Sequence, residues 1–322
     1  MLRKKKMSKE LTLKETGSML LAAQKIVLCC HVSPDGDTLG SALGLYRFLK
    51  QQGKDITLFV DDDINKSLKF LPGVDCCKRP EAGQKLEADV LCVIDASSAD
   101  RIGIVNDVVE AKCLMNIDHH ISNTRFADYL YLDPVAAATG EVMCMLFDEM
   151  GWEMDKEIAT CFYTAITMDC GSFRYSNTTS RTMNMAAKLL DCGVKPNEIA
   201  DAMDVRERAN VELWVKVLPT LTFTFNDKVA YISLPHELYN KDISTDNFIS
   251  YPRYIEGVDV AIFFKAVESE VTRVSMRSAE TDVSQIALHF GGGGHIRAAG
   301  CTIYAPLEEA RRQLLEELGK VM

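Results

Sequence analysis

The chain has 322 residues, is 47% hydrophobic and 25% charged, and carries a formal net charge of −10. Such a composition suits a globular protein of one large or two medium domains. The acidic total excludes wrapping of a long nucleic-acid duplex, which needs a basic face, and no apolar run approaches the roughly 20 residues that span a bilayer.

The start, MLRKKKMSKE, is basic with no apolar segment of the secretory kind after it, and reads as a frayed terminus or the first turn of a helix. From residue 25 strands and helices alternate. Residues 25–31 read as a buried strand and 38–53 as a helix. Strands follow at 55–60, 89–97, 112–117 and 129–133, and helical patterns at 65–70, 139–150, 155–169 and 179–191. This alternation predicts an α/β fold with a mostly parallel sheet flanked by helices, and ligands in such sheets bind beyond the carboxyl ends of the strands.

After Gly193 the pattern changes. Residues 196–219 read as helical, with charges on one face. Two hairpins follow, LTFTF-NDK-VAYISL and one over 258–278 that turns near Ser269. A helix at 282–289, the run GGGGH, a short strand near CTIYA and a helix from Pro306 complete a smaller mixed α/β domain. The expected division is a domain at 1–192, a helical linker at 193–224 and a second domain at 225–322. The 11 cysteines are odd in number and contain no C-x-x-C pair; several, such as Cys92 and Cys161, lie in apolar runs. They read as buried reduced thiols of a cytoplasmic protein.

Four turns carry the chemistry. HVSPDGD holds His31, Asp35 and Asp37; VIDAS holds Asp95; NIDHH holds Asp118, His119 and His120; TMDCGSF holds Asp169. The first three each follow an apolar strand, so they are expected at one edge of the sheet. An aspartate after a strand is commonly a helix cap, and DGD alone is an ordinary turn. Recurring on successive strand ends, they point to metal. Carboxylates with imidazoles and no thiolate suit Mn²⁺ or Mg²⁺ better than structural zinc, and six or seven such ligands are enough for two ions, the common clamp for phosphoryl transfer. A second signal is GGGGHIRAAG, residues 291–300, whose glycines let the backbone approach and cradle an anion, with His295 and Arg297 as added donors. Arg277, in SMRS at a strand end, is placed to face it.

HVSPDGDTLGS, VIDAS, NIDHH, MDCGSFR and GGGGHIRAAG, in that order, resemble the DHH phosphoesterases with a C-terminal DHHA1 domain, over residues 18 to 305. Ser33 stands where Asn is commoner and Cys170 where Thr is commoner. The chain resembles the small nanoRNase branch rather than the longer RecJ. That resemblance implies 3′→5′ hydrolysis of very short RNA and removal of the 3′-phosphate from adenosine 3′,5′-bisphosphate (pAp) to give AMP, with two Mn²⁺ ions or Mg²⁺ in their place. It implies one ion on His31, Asp35 and Asp95, and a second on Asp37, Asp95, His119 and Asp169. Asp118 would orient a histidine, His120 would sit beside the reacting phosphate, and a hydroxide between the ions would attack phosphorus. Arg277, Gly292, Gly293, Gly294 and His295 would grip the rest of the substrate. The expected partners are short single-stranded RNA or nucleotides, with no duplex and no membrane; oligomer formation is left open. The alternatives are a phosphodiesterase for cyclic dinucleotides or their linear products, a pyrophosphatase or exopolyphosphatase, and a nucleotide-binding regulator without catalysis.

Overall fold

Lys25–Cys29 (KIVLC) is buried along nearly its whole length, as expected of a strand covered on both faces of a parallel sheet. It belongs to a seven-stranded sheet in the computed structural model, which describes residues 8–245 and 247–322. The strands are β1 (Lys9–Glu10), β2 (Lys25–Cys29), β3 (Asp55–Phe59), β4 (Cys77–Lys78), β5 (Leu86–Ile94), β6 (Val109–Asp118) and β7 (Tyr129–Leu132). Their order is β1-β7-β6-β5-β2-β3-β4, and every pair is parallel. The chain winds outward one way from β2 to β4 and the other way from β5 to β7. The β2/β5 boundary is therefore the switch point, where a crevice opens beyond the carboxyl ends.

The helices here are α1 (Leu13–Ala22), α2 (Gly36–Gln51), α3 (Val105–Val108), α4 (Thr139–Met150), α5 (Lys156–Asp169), α6 (Ser180–Asp191) and α7 (Pro196–Asp204). The larger core joins one face of the sheet to α1, α2, α4, α5 and α6; a thinner one packs Ile102, Val105 and Val108 on the other. α2 and α5 touch closely: a Cβ on Gly40 would lie 2.4 Å from the Cys161 carbonyl oxygen. That approach sets Asp169, the last residue of α5, beside Asp37 in the first turn of α2. The stretch 65–70 is helical only as a 3₁₀ turn at Lys66–Leu68. α1 was not anticipated, although Thr12 and Glu15 form a capping box at its start. Residues 1–7 of the basic start lie outside the described residues; β1 pairs Lys9 with Tyr129 and Glu10 with Leu130.

The chain divides into two compact units, the first ending at Val205 and the second running from Arg206 to Met322. The helical stretch at 196–219 is broken there: α7 ends at Asp204 and α8 (Arg208–Val217) opens the second unit. The remaining helices are α9 (Ser250–Arg253), α10 (Val283–His289) and α11 (Leu307–Leu318). The second sheet holds β8 (Thr222–Thr224), β9 (Val229–Leu234), β10 (Val260–Glu268), β11 (Val271–Ser278), β12 (Gly293–His295) and β13 (Ala298–Ile303), ordered β12-β13-β11-β10-β9-β8. It is antiparallel except between β9 and β10. One face, with Ile262, Val274 and Met276, packs against α10 and α11. On the other, Ile232, Leu234, Ala261 and Phe263 pack with α8 and residues 248–249.

The glycine run is not simply a loop. Gly293, Gly294 and His295 pair with Gly300, Ala299 and Ala298 as a short edge strand, because the glycines admit a partner backbone where side chains would collide. None of the eleven cysteines is joined in a disulfide. No helix among the described residues is long and apolar enough to cross a membrane.

Candidate metal centre

β2, β5 and β6 end at the same sheet edge, and their turns converge there. After β2 the chain reverses through Ser33, which has a left-handed φ of 53° and donates from its N–H to Asp62. Asparagine, which the family resemblance leads one to expect there, tolerates that conformation better than serine. Asp35 then caps α2, its Oδ1 accepting from the N–H groups of Asp37 and Thr38 at 3.0 and 3.1 Å. Its other oxygen, Oδ2, lies 3.6 Å from His31 Nε2.

Asp95 sits at the switch point with φ +60°, a costly conformation for a residue with a Cβ. Its Oδ2 faces His31 Nε2 at 3.6 Å, and its Oδ1 faces His119 Nε2 and His120 Nδ1, each at 3.6 Å. One buried carboxylate thus looks into two clusters. His119 Nε2 also lies 3.7 Å from Asp37 Oδ2 and 3.2 Å from Asp169 Oδ2. The groups whose donor atoms gather tightly enough for an ion are His31, Asp35 and Asp95; Asp37, His119 and Asp169; and Asp95, His119 and His120. Each of the four turns singled out in the sequence contributes to them.

The imidazoles are oriented for coordination. His31 Nδ1 meets the Val32 carbonyl at 2.8 Å and His119 Nδ1 the Ala136 carbonyl at 3.1 Å. Each carbonyl demands a proton on Nδ1, which leaves Nε2 turned toward carboxylate oxygens. His119 Nε2 is buried with no hydrogen-bond partner. A lone pair held against anionic oxygens calls for a cation. In the metal-free site a proton serves: burial opposes charging, but Asp35 and Asp95 raise His31 to about 9, and Asp169, Asp37 and Asp95 raise His119 to about 10. Burial, with Asp95 and Asp169 nearby, pushes Asp37 well up. Burial pushes Asp95 up as well, against the pull of His31. An all-O/N donor set with a shared carboxylate fits a pair of hard divalent ions.

Asp118 stands behind these groups. Its Oδ1 takes His120 Nδ1 at 2.7 Å and the His119 N–H at 2.9 Å, and its Oδ2 takes Asn123 Nδ2 at 2.6 Å. Burial works to raise its pKa, yet His120 holds it below the ordinary range. The histidine it orients is His120.

Four further residues, outside those the sequence motifs mark, touch these groups. Thr139, opening α4, donates its hydroxyl to Asp95 Oδ1 at 2.8 Å and its N–H to Asp37 Oδ2 at 2.7 Å. Gly140 N–H reaches Asp37 Oδ1 at 2.8 Å, so the helix start stabilises that buried carboxylate. Arg101 Nη2 lies 3.0 Å from His31 Nδ1, but with that nitrogen donating to the Val32 carbonyl the contact is not a hydrogen bond. Asn123 links Asp118 to Asn116. Thr139, Gly140 and Arg101 lie outside the four motifs and Asn123 just past NIDHH, so none carries a local mark of function.

In the second unit Arg277 lies on β11, a central strand, opposite Ala298, which is opposite His295. Residues directly opposite share a face, so Arg277 and His295 flank a small alanine on the face away from α10 and α11. Gly292, Gly293 and Gly294 adjoin this row. Arg297 instead donates to the Glu280 carbonyl.

Residues 25–166 match the DHH family, N-terminal domain, and residues 226–322 match the DHHA1 domain. The bifunctional oligoribonuclease and PAP phosphatase NrnA of Thermus thermophilus is 37% identical over 297 residues, covering 90% of this chain and 88% of the relative. That of Bacillus subtilis is 27% identical, covering 90% and 93%. A crystal structure of an exopolyphosphatase-related protein from Bacteroides fragilis superimposes with a TM-score of 0.87 at 30% identity, over 95% of each chain. The chain belongs to the DHH family and carries a DHHA1 domain after the DHH domain.

Proposed function

We propose that this protein is a metal-dependent hydrolase of phosphoester bonds that degrades short oligoribonucleotides from the 3′ end and converts pAp to AMP. The observation that carries the proposal is the carboxylate of Asp95 at the sheet's switch point, shared between two clusters of carboxylates and imidazoles. The likeness to the Thermus and Bacillus proteins over nine-tenths of the chain supports the choice of substrate.

His31, Asp35 and Asp95 hold one ion, and Asp37, Asp95, His119 and Asp169 the second; Mn²⁺ is the preferred metal and Mg²⁺ the substitute. Two such ions, when bound, polarise a phosphate and make water nucleophilic at neutral pH. The chain's own groups do the rest. Thr139 and the start of α4 fix Asp95 and Asp37 before any ligand arrives. Asp118 holds His120 by Nδ1, raising its pKa, so His120 can present a proton from Nε2 to a phosphate oxygen or the leaving group. Arg277, His295 and the glycines at 292–294 grip the substrate's other phosphate or sugar. The DHH part over 1–192 then supplies chemistry and the DHHA1 part from 225 supplies grip, joined by the helical stretch at 193–224, in the cytoplasm.

The test is a panel of pAp, end-labelled RNA of increasing length, duplex RNA, cyclic dinucleotides and inorganic polyphosphate, compared by kcat/KM with Mn²⁺. We expect pAp and RNA of roughly two to five nucleotides to be cut well, longer strands progressively less and duplex not at all, since few cations are placed to track a backbone. Equal rates on a dinucleotide and on a strand several times longer would overturn the short-substrate reading. Preference for cyclic dinucleotides or polyphosphate would replace the substrate class.

A further inference from the structure

The face of the second sheet that bears Arg277 carries another pair of cations. Lys265 on β10 and Arg273 on β11 are directly opposite in the register. Their Cβ atoms on such a pair lie about 5 Å apart, and like charges so placed destabilise a sheet. Arg273 is exposed and makes no ion pair among the described residues. Lys265 reaches the Thr245 hydroxyl at 3.2 Å.

Beside this pair lies a groove of about 470 Å³, within the range of small-molecule sites. Lys265, Arg273, Phe290, Gly292, Gly300 and Tyr304 are on its wall, and no aspartate or glutamate among the described residues lines it. In a chain of net charge −10 this is a local reversal of sign. The floor is nearly bare, because Ser275 is opposite Gly300 and Gly300 opposite Gly293. At the rim the Tyr304 side chain is 84% exposed, an aromatic surface with nothing packed over it. Two adjacent cations, open backbone and an exposed ring are the components of a nucleotide subsite: charge for the phosphate and a π-face for the base.

Arg273 is four residues from Arg277 on the same face of β11. At about 3.3 Å per residue the two lie roughly 13 Å apart along the strand, too far for one phosphate to satisfy both. Resting on the function proposed above, in which Arg277 and His295 grip the substrate's other phosphate, we propose that Lys265, Arg273 and Tyr304 form a second nucleotide subsite. It engages a third phosphate, with its base, of an oligoribonucleotide, and pAp, which has two phosphates, is too short to fill it. The groove thereby favours 5′-phosphorylated oligonucleotides of at least three residues over mononucleotide bisphosphates.

The experiment compares the unaltered protein with K265M/R273Q and, separately, with Y304A. Equilibrium binding of a fluorescent 5′-phosphorylated RNA trinucleotide and of pAp is measured in excess chelator across a salt series, and kcat/KM for both is measured with Mn²⁺. Loss of charge-assisted hydrogen bonds should raise the trinucleotide Kd roughly 10- to 150-fold in K265M/R273Q, at least tenfold more than the change for pAp. The slope of log Kd against log salt should fall by about 0.7, the value for one phosphate contact on a single strand. Y304A should weaken the trinucleotide roughly 5- to 150-fold with the salt slope intact, as loss of one stacked base does. Equal losses on both ligands, or none on either, would overturn the subsite. Since binding is scored under chelation, it is judged even if the unaltered protein hydrolyses neither ligand, a result that would overturn the proposed function by itself.

Discussion

The two units use charge in opposite ways. At the switch point of the first sheet, Asp95 and Asp37 are buried, and their oxygens are held by Thr139, Gly140 and Ser41. On the second sheet, Arg273 and His295 are exposed, and the backbone beside His295 is largely glycine and alanine. On the function proposed above, the difference follows from what each ligand would require. Placing two small ions beside a reacting phosphorus demands donor atoms fixed to a fraction of an ångström, so the surrounding protein must prepay the ordering. Gripping the remainder of a substrate demands charge and access, and long side chains over an open sheet adapt to several ligands.

The contrast breaks first at Asp95. Asp95→Asn should remove a ligand common to both clusters, with loss of bound metal and a kcat lower by on the order of 10³-fold, at the upper end of losses for a single group stabilising a transition state. Elemental analysis after dialysis, beside a rate assay, checks this. Prolonged chelation should abolish hydrolysis and added Mn²⁺ restore it; full activity in excess chelator would sink the two-cluster reading.

A smaller effect is expected at Thr139→Val, which keeps the shape and the backbone N–H to Asp37 but deletes the hydroxyl on Asp95. Metal affinity should fall roughly 10- to 100-fold, as for other groups that orient ligands. Titration of the apo protein with Mn²⁺ reads it directly. An unchanged affinity would mean that Asp95 is held by the fold without this bond.

On the second sheet, Arg277→Ala or His295→Ala should leave metal content as it was and raise KM for pAp about tenfold or more, the cost of a charge-assisted hydrogen bond. A simple artificial phosphodiester lacks the second phosphate and should be affected much less. Metal loss in either variant would place these residues with the first cluster instead.

The mildest test uses pH. His31 and His119 have folded-state values raised to about 9 and about 10 in the metal-free protein. Raised values mean that the native state binds protons more tightly than the unfolded one. Their contribution to metal-free stability is therefore complete below about pH 6.5, the ordinary histidine value, and is lost as pH rises through 9 to 10. Metal must displace these protons, so apparent Mn²⁺ affinity should climb with pH over the same window. Thermal unfolding of apo and loaded protein across pH 6 to 10 checks both signs; a metal affinity independent of pH would show the imidazoles already neutral.

The alternation of apolar runs and helical periods was enough to place β2, β3, β5, β6 and β7 within a few residues, and α4 at its observed limits. Backbone periodicity is a local property, and so is the position of an acidic turn after a buried strand. For the same reason His31, Asp35, Asp37, Asp95, Asp118, His119, His120 and Asp169 could be singled out from the chain alone. α1 carries a local signal as well, the Thr12–Glu15 box. Tertiary structure alone decided the rest. The strand order that puts β2 beside β5 is a long-range pairing, and it turns Asp95, which the family resemblance already implied as shared, toward both clusters. Thr139 reaches Asp37 across 102 residues and Asp95 across 44, so no pattern within a motif could announce it. The glycine run became a strand only because β13 was there to pair with it, and Lys265 met Arg273 only once the register of β10 and β11 was set. Residue type and local period are written along the chain, but which side chains face one another depends on contacts that form only when distant segments pack.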